Sequence, residues 1–434
     1  MKRRVWFFYC LNLVPFSIVA LDKCAVEKGS GICPSGNTCC LMRDGSSGCI
    51  PSDMGQHNAT CCTDLETGCA VGYTCEVTAD LEPFCKATRE APMSDPLVYR
   101  MPRYHLCSMD DIDLYGLDVG GGKLAYFSSI GPLENITEKI DYVAIVVHGA
   151  NRNGDDYFCS MNAAAKLQNY SRHVLVVSIQ FYSEVDDRDD PLYLYWKETT
   201  DGPWRYGDDS LGPIQMSSFE AFDHMIQLLS AFDIGDISII GHSSGAQFVQ
   251  RWAMLTYCWS DNMRAIIMNP SSYAYTWPLR FLNGKWQVPS ECYKYNTWEW
   301  GLELKMNTNH YIHDRLSDNV ENLIHRYRSK HVYYLVGGQD RCDVSTGWCH
   351  SHGLETTCMD ELQGSNRFHR SANYIKSLRL QGFSSNHSHF IVDKVGHDHA
   401  LMLQSDIGLQ VIFGKQDLED ENTSPFYANK KVKQ

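Results

Sequence analysis

Asp236-Ile237-Ser238-Ile239-Ile240-Gly241-His242-Ser243-Ser244-Gly245-Ala246-Gln247-Phe248-Val249-Gln250-Arg251-Trp252 is the stretch whose reading decides the fold of this 434-residue chain. Its first five residues are an apolar strand, residues 241–245 spell Gly-x-Ser-x-Gly, and residues 246–252 continue as a helix. A serine at the tip of such a strand-to-helix turn has its hydroxyl lifted clear of the sheet. The two glycines answer a steric need, since a side chain would collide where strand and helix pass closely and where φ is unusual. Five residues alone are a weak signature. Their position at a strand–helix junction makes Ser243 the candidate nucleophile.

Outward from that turn, apolar strands alternate with helices. Residues 123–128, 142–147, 174–179, 237–240, 265–268, 332–336 and 390–395 are strand candidates, most of them continuous Val/Ile/Leu runs. Continuous runs belong to strands buried on both faces. Ser217-Ser218-Phe219-Glu220 opens a helix as a cap, with Phe219, Phe222, Met225, Ile226 and Leu229 at helical spacing. Another helix runs over residues 366–380. The alternation predicts an α/β fold with a doubly wound, mainly parallel sheet, of the α/β-hydrolase kind.

A serine alcohol is nearly inert at neutral pH and needs a base beside it and an acid to orient that base. In this fold their order is Ser, then Asp or Glu, then His. Asp340 follows the strand ending at Val336, and His397 follows the last strand, so both are candidates; Asp343 and His399 are their rivals. Two backbone N–H groups must face the developing oxyanion. Ser244 supplies one, and the loop His148-Gly149-Ala150-Asn151-Arg152-Asn153-Gly154 the other, from Ala150 first or Asn151 second. His148 reads as a residue that braces this loop.

The segments Val147-His148-Gly149-Ala150-Asn151-Arg152-Asn153, Trp204-Arg205-Tyr206-Gly207-Asp208, Asn269-Pro270-Ser271-Ser272-Tyr273 and Leu362-Gln363-Gly364-Ser365-Asn366-Arg367, with Tyr195-Trp196 and Tyr295-Asn296-Thr297-Trp298, resemble a widespread α/β-hydrolase group. The resemblance spans nearly all of residues 140–400 and implies the same triad of Ser243, Asp340 and His397. It carries no substrate.

Two long insertions, residues 181–213 and 272–330, hold Trp196, Trp204, Trp277, Trp286, Trp298 and Trp300. These aromatics either line a substrate pocket or form the small cores of the insertions. Asp186-Asp187-Arg188-Asp189-Asp190 reads as a solvated loop, with a calcium site as the other reading. His350/His352, His387/His389 and His397/His399 are His-x-His pairs without a spaced third ligand, so no metal site and no cofactor is expected.

The chain begins with a different chemistry. Lys2, Arg3 and Arg4 precede a mostly apolar run over residues 5–19 and Ala20, the pattern of a secretory signal, residues 1–20. No second run of about 20 apolar residues follows, so no membrane span is expected in the mature chain. Of 18 cysteines, ten lie between Cys24 and Cys85, a density that requires an oxidising compartment. Sequons at Asn58, Asn135, Asn169, Asn386 and Asn422 would then be open to glycosylation. The net charge of −14 disfavours nucleic acid or an anionic membrane surface as a partner.

Cys33-Pro34-Ser35-Gly36-Asn37-Thr38-Cys39-Cys40, Cys49, Ala59-Thr60-Cys61-Cys62-Thr63-Asp64 and Cys69-Ala70-Val71-Gly72-Tyr73-Thr74-Cys75 resemble a granulin module, a ladder of stacked β-hairpins with twelve cysteines. Ile50 and Ala70 stand where two of those cysteines would be. The resemblance implies Cys24–Cys39, Cys33–Cys49, Cys40–Cys61 and Cys62–Cys75, with the orphans Cys69 and Cys85 joined to each other. Of the seven later cysteines one must stay outside an intrachain pair. Cys258–Cys292 is the expected bond, and two of Cys342, Cys349 and Cys358 would brace the loop after Asp340.

The domain reading is thus a granulin-like unit over residues 21–86, a linker over 87–100, an α/β-hydrolase domain over 101–415 and a polar tail over 416–434. The functional expectation is a secreted or lumenal serine hydrolase cleaving a small-molecule or polymeric ester. Peptide or amide cleavage uses the same machinery. A contrasting expectation is an inert body that binds an extracellular partner through the granulin-like module.

Overall fold

Residues Tyr142–Val147 carry six buried side chains in a row, with no polar edge to show to water. In the computed structural model they form a central strand of an eight-stranded sheet. Residues 112–414 are described, apart from 138, 168–173, 199–202, 318 and 342–352, together with the backbone of short strands between residues 22 and 104. The chain divides into two compact units, Met1–Leu106 and Cys107–Gln434.

In the second unit the strands are β1 (Leu114–Asp118), β2 (Lys123–Ser128), β3 (Tyr142–Val147), β4 (Val174–Gln180), β5 (Asp236–His242), β6 (Met263–Met268), β7 (His331–Gly337) and β8 (His387–Val392). Their order across the sheet is β1-β2-β4-β3-β5-β6-β7-β8. β2 runs antiparallel to β1 and β4, and every pairing from β4 onward is parallel. With helices on both faces, this is the α/β-hydrolase fold.

The alternation of β3 feeds two cores. Val143, Ile145 and Val147 join the face covered by α2 (Ser218–Ser230) and α3 (Ser244–Leu255), through Phe219, Phe222, Phe248 and Trp252. Tyr142, Ala144 and Val146 join the face covered by α1 (Gly154–Leu167), where Tyr157, Phe158 and Met161 meet them. Each aliphatic side chain fully withdrawn from water there contributes about 1.5–3 kcal/mol. Ser217 caps α2, accepting from Phe219 N–H at 3.2 Å. Further helices are α4 (His310–Ser317), α5 (Val320–Ser329), α6 (Arg367–Leu380), α7 (His399–Gln404) and α8 (Asp406–Phe413).

Three sequence expectations change. β8 starts and ends three residues earlier than the apolar run, because His387 and His389 are buried strand residues whose rings are satisfied by Tyr334, Tyr327 and Ser371. β1 goes unread because it is a half-buried edge strand. Cys292 bonds to Cys358, not to Cys258. Cys258 is a free thiol at the end of α3, with Gln227 of α2 donating to its sulfur. Cys292 instead belongs beside the turn Cys358–Glu361, to which Trp300 Nε1 also donates at Asp360. Cys159 is disulfide-bonded as well, while Cys342 and Cys349 lie outside the described residues.

In the first unit, antiparallel strand pairs join Asp22–Cys24 with Gly31–Cys33, Asn37–Leu41 with Ser47–Pro51, Thr60–Cys61 with Thr67–Cys69 and Tyr73–Val77 with Pro83–Ala87. Val98–Arg100, inside the expected linker, pairs with Thr67–Cys69, and the unit ends at Leu106. The side chains of its ten cysteines lie outside the described residues, as do Asn58, Asn169 and Asn422. Asn135 is exposed. Asn386 turns its amide nitrogen toward the carbonyls of Arg328 and Ser329, so a glycan there would replace one of the two amide hydrogens that face them. Among the described residues no helix is long and apolar enough to cross a membrane.

Candidate active site

β5 ends at His242 and α3 begins at Ser244, leaving Ser243 between them at φ 57° and ψ −117°. A non-glycine residue at positive φ is strained and persists only where the surroundings over-determine it. The surroundings here are backbone. A β-carbon on Gly241 would stand 2.2 Å from the Gly245 carbonyl oxygen, and one on Gly245 would stand 2.1 Å from that of Val147. No side chain fits at either position, so both glycines are obligatory for this crossing. Ser243 N–H is held by Met268 O at 2.9 Å.

Asp340 follows β7 and is buried, with its N–H on Gly337 O and its carbonyl accepting from Phe368 N–H at the start of α6. His397 follows β8. Its Nδ1 lies 2.8 Å from Asp340 Oδ2 and its Nε2 lies 2.9 Å from Ser243 Oγ. A carboxylate can only accept, so Nδ1 carries the proton and Nε2 presents its lone pair to the serine O–H. The arrangement can draw a proton from Ser243 and hold the resulting imidazolium against Asp340. Asp343, the rival acid, lies outside the described residues.

Asn269, at the end of β6 with φ 52°, ties the two loops together. Its Oδ1 accepts from Gly337 N–H at 2.7 Å and its Nδ2 donates to Gly396 O at 3.1 Å. Arg367 Nη1 stands 3.7 Å from Asp340 Oδ1, with both side chains buried. Sequence reasoning gave neither residue a role; the Asn-Pro-Ser-Ser-Tyr and Ser-Asn-Arg segments they sit in were the available signal.

Ser244, as the first residue of α3, has a backbone N–H without an intrahelical partner. β3 and β5 are neighbours, with Val147 opposite Gly241, so the loop after β3 reaches Ser243. A β-carbon on Gly149 would be 3.6 Å from that of Ser243. Ala150 and Asn151 form the exposed tip of this loop. His148 braces it as expected: Nε2 accepts from Phe181 N–H at 3.0 Å, which leaves Nδ1 to donate to Gly149 O at 2.8 Å. Burial holds His148 neutral, with its pKa pushed down to about 4.

The acidic run is not simply a solvated loop. Asp186 binds Arg152 of the loop after β3 through both oxygens, at 2.7 and 3.0 Å, and Asp190 pairs with Lys123 at 2.6 Å. The insertion tryptophans Trp196, Trp204, Trp298 and Trp300 are buried as core, Trp204 stacking on Phe181 at 4.9 Å. Above the elbow lies a charge cluster that the sequence did not announce. Arg205 Nη1 donates to Ser244 Oγ at 2.7 Å, and its Nη2 lies 2.9 Å from Glu355 Oε1. Tyr206 O–H donates to the same carboxylate oxygen at 3.0 Å.

The chain matches no family model. Within it, 44 residues are 43% identical to a granulin of Dictyostelium discoideum, covering 10% of this chain and 31% of that protein. The chain therefore spans about a third of the length of this curated relative. Among solved structures it is similar to a poly(3-hydroxybutyrate) depolymerase of Bordetella parapertussis, at 17% identity over 70% of this chain and 90% of the other, with a TM-score of 0.48. It is similar also to poly(aspartic acid) hydrolase-1 of Sphingomonas sp. KT-1, at 18% identity over 70% and 98%, with a TM-score of 0.47. A siderophore hydrolase of Aspergillus nidulans aligns at 11% identity over 71% and 95%, with a TM-score of 0.37.

Proposed function

We propose that this chain is a secreted or lumenal serine hydrolase that cleaves a carboxylic ester through an acyl-enzyme. The observation that carries the reading is the single row in which His397 bridges Ser243 Oγ and Asp340 from its two ring nitrogens. Ser243 attacks the ester carbonyl while His397 takes its proton, and Asp340 orients and stabilises the imidazolium. Ser244 N–H and an N–H of the Ala150–Asn151 turn receive the oxyanion. His397 then returns the proton to the departing alcohol, and water repeats the sequence to free the acid. The granulin-like unit serves recognition of a polymeric substrate or an extracellular partner.

The test is labelling of the purified full-length protein with a fluorophosphonate probe, beside Ser243→Ala and His397→Ala. The expected result is labelling of the unsubstituted protein, none in Ser243→Ala and strongly slowed labelling in His397→Ala. A folded, unsubstituted protein that takes no probe would overturn the reading in favour of binding through the granulin-like unit.

A further inference from the structure

In the proposed mechanism Ser244 acts only through its backbone N–H. Its side chain has its own unusual setting. The residue is 2% exposed, and its Oγ accepts a hydrogen bond from Arg205 Nη1 at 2.7 Å. No described residue accepts the Ser244 hydroxyl proton. A hydroxyl whose oxygen accepts from a cation is polarised, and its own O–H becomes a stronger donor. Covalent geometry keeps a serine Oγ within about 4 Å of its own backbone nitrogen. An acceptor bound to Ser244 N–H can therefore also lie within reach of Ser244 O–H.

Arg205 is itself a built feature. It is buried in the segment Pro203–Tyr206, and Glu355 fixes its second amino group. Glu355 is fixed in turn: Tyr206 O–H donates to its Oε1, Ser271 Oγ accepts its backbone N–H at 3.1 Å, and Arg370 Nη2 donates to its carbonyl at 2.7 Å. Burying an ion pair costs desolvation energy, and anchoring the first turn of a helix needs only a neutral hydrogen bond. A guanidinium held rigidly one hydrogen bond away from the residue after the nucleophile has an electrostatic use where negative charge develops.

We propose that Ser244 supplies the oxyanion hole with its hydroxyl as well as its backbone N–H, and that Arg205, anchored by Glu355, is the positioning residue that orients and polarises that hydroxyl. The inference rests on the serine hydrolase reading. It gives the Trp-Arg-Tyr-Gly-Asp segment a purpose and makes the hole a three-donor site with a cation behind it.

Steady-state hydrolysis of p-nitrophenyl acetate by the full-length protein tests it, with Ser244→Ala, Arg205→Lys and the double variant, each checked for folding by thermal unfolding. Loss of one oxyanion donor costs about 10²–10³ in kcat at a well-formed hole. Ser244→Ala is expected to lower kcat about 100-fold with KM held within about threefold. Arg205→Lys is expected to lower kcat about 10-fold alone, yet less than about twofold when added to Ser244→Ala, because its effect passes through the hydroxyl. Full turnover in Ser244→Ala overturns the proposal, and so does an Arg205→Lys loss of equal size in both backgrounds, which would mark a scaffold role. If Arg205→Lys does not fold, Ser244→Ala alone decides. Failure of the hydrolase reading shows itself differently, as no turnover in the unsubstituted protein.

Discussion

His397 and His399 lie two residues apart, and each meets a carboxylate and a hydroxyl. His397 engages them from opposite ring nitrogens, Asp340 at Nδ1 and Ser243 at Nε2. His399 brings both partners to one nitrogen: Nε2 lies 3.4 Å from Asp156 Oδ2 and 3.2 Å from Ser160 Oγ. Its ring stacks on Tyr157 at 4.2 Å, and Tyr157 O–H in turn lies 2.9 Å from His242 Nδ1. Burial alone would drive His399 toward the neutral form, but the carboxylates of Asp156 and Asp398 outweigh it and raise its pKa. A base must be neutral and strung between its orienting acid and its substrate proton. Under the proposed function the same residue type thus serves proton transfer in one setting and fastens α7 to α1 in the other.

Removing the acid from each row separates them most sharply. Asp340→Asn leaves the geometry in place but reverses the demand on Nδ1, so His397 takes the wrong tautomer, and kcat is expected to fall by about 10⁴. Asp156→Asn is expected to leave kcat within about threefold while lowering stability by about 1–2 kcal/mol. Steady-state turnover and chemical unfolding of both variants check this. Equal loss of turnover would erase the distinction between the two rows.

The difference between the rows was half legible. Ser243, Asp340 and His397 could be placed because each follows an apolar strand directly, and strand ends in this fold converge at one edge of the sheet. Choosing between His397 and His399 rests on distance from the strand and on the family resemblance, which implies His397. What sets them apart is Asp156, 243 residues earlier, which periodicity does not reveal. The same holds for Arg205 with Glu355 and for Cys292 with Cys358. Each of those pairings joins an insertion to the segment just before α6, and insertions carry little periodic signal. Nor could the sequence tell that the Asp186 carboxylate would clamp Arg152, since an acidic run on a loop is usually hydrated.

Three other histidines sharpen the contrast from the opposite side. His148, His387 and His389 are buried and held neutral, each with its pKa pushed down to about 4 by desolvation. Unfolding returns them to about 6.5, so between those values the unfolded chain binds more protons than the folded one. Their stabilising contribution is complete above about pH 6.5 and is lost as pH falls toward 4, by roughly 3 kcal/mol each. The melting temperature should therefore drop steeply between pH 6.5 and 4.5, and His389→Gln should flatten part of that drop. A melting temperature level across this range would contradict the neutral assignment.

His399 must behave with the reverse sign, and the effect is smaller. Its folded pKa is raised, so the pair with Asp156 stabilises fully below about pH 6.5 and fades as pH rises through the folded value. His399→Gln keeps a polar side chain at the start of α7 and is expected to cost about 1–2 kcal/mol at pH 6. That deficit should shrink at pH 9, as pH rises toward and through the raised folded value. Thermal unfolding at the two pH values measures the gap, and turnover of p-nitrophenyl acetate should stay within about threefold of the unsubstituted protein at both. A gap that widens with pH would mean that His399 sits neutral in the fold. A folded His399→Gln protein with turnover down about 100-fold would instead place both histidines in one proton path, since His242 packs its ring 4.7 Å from that of His397.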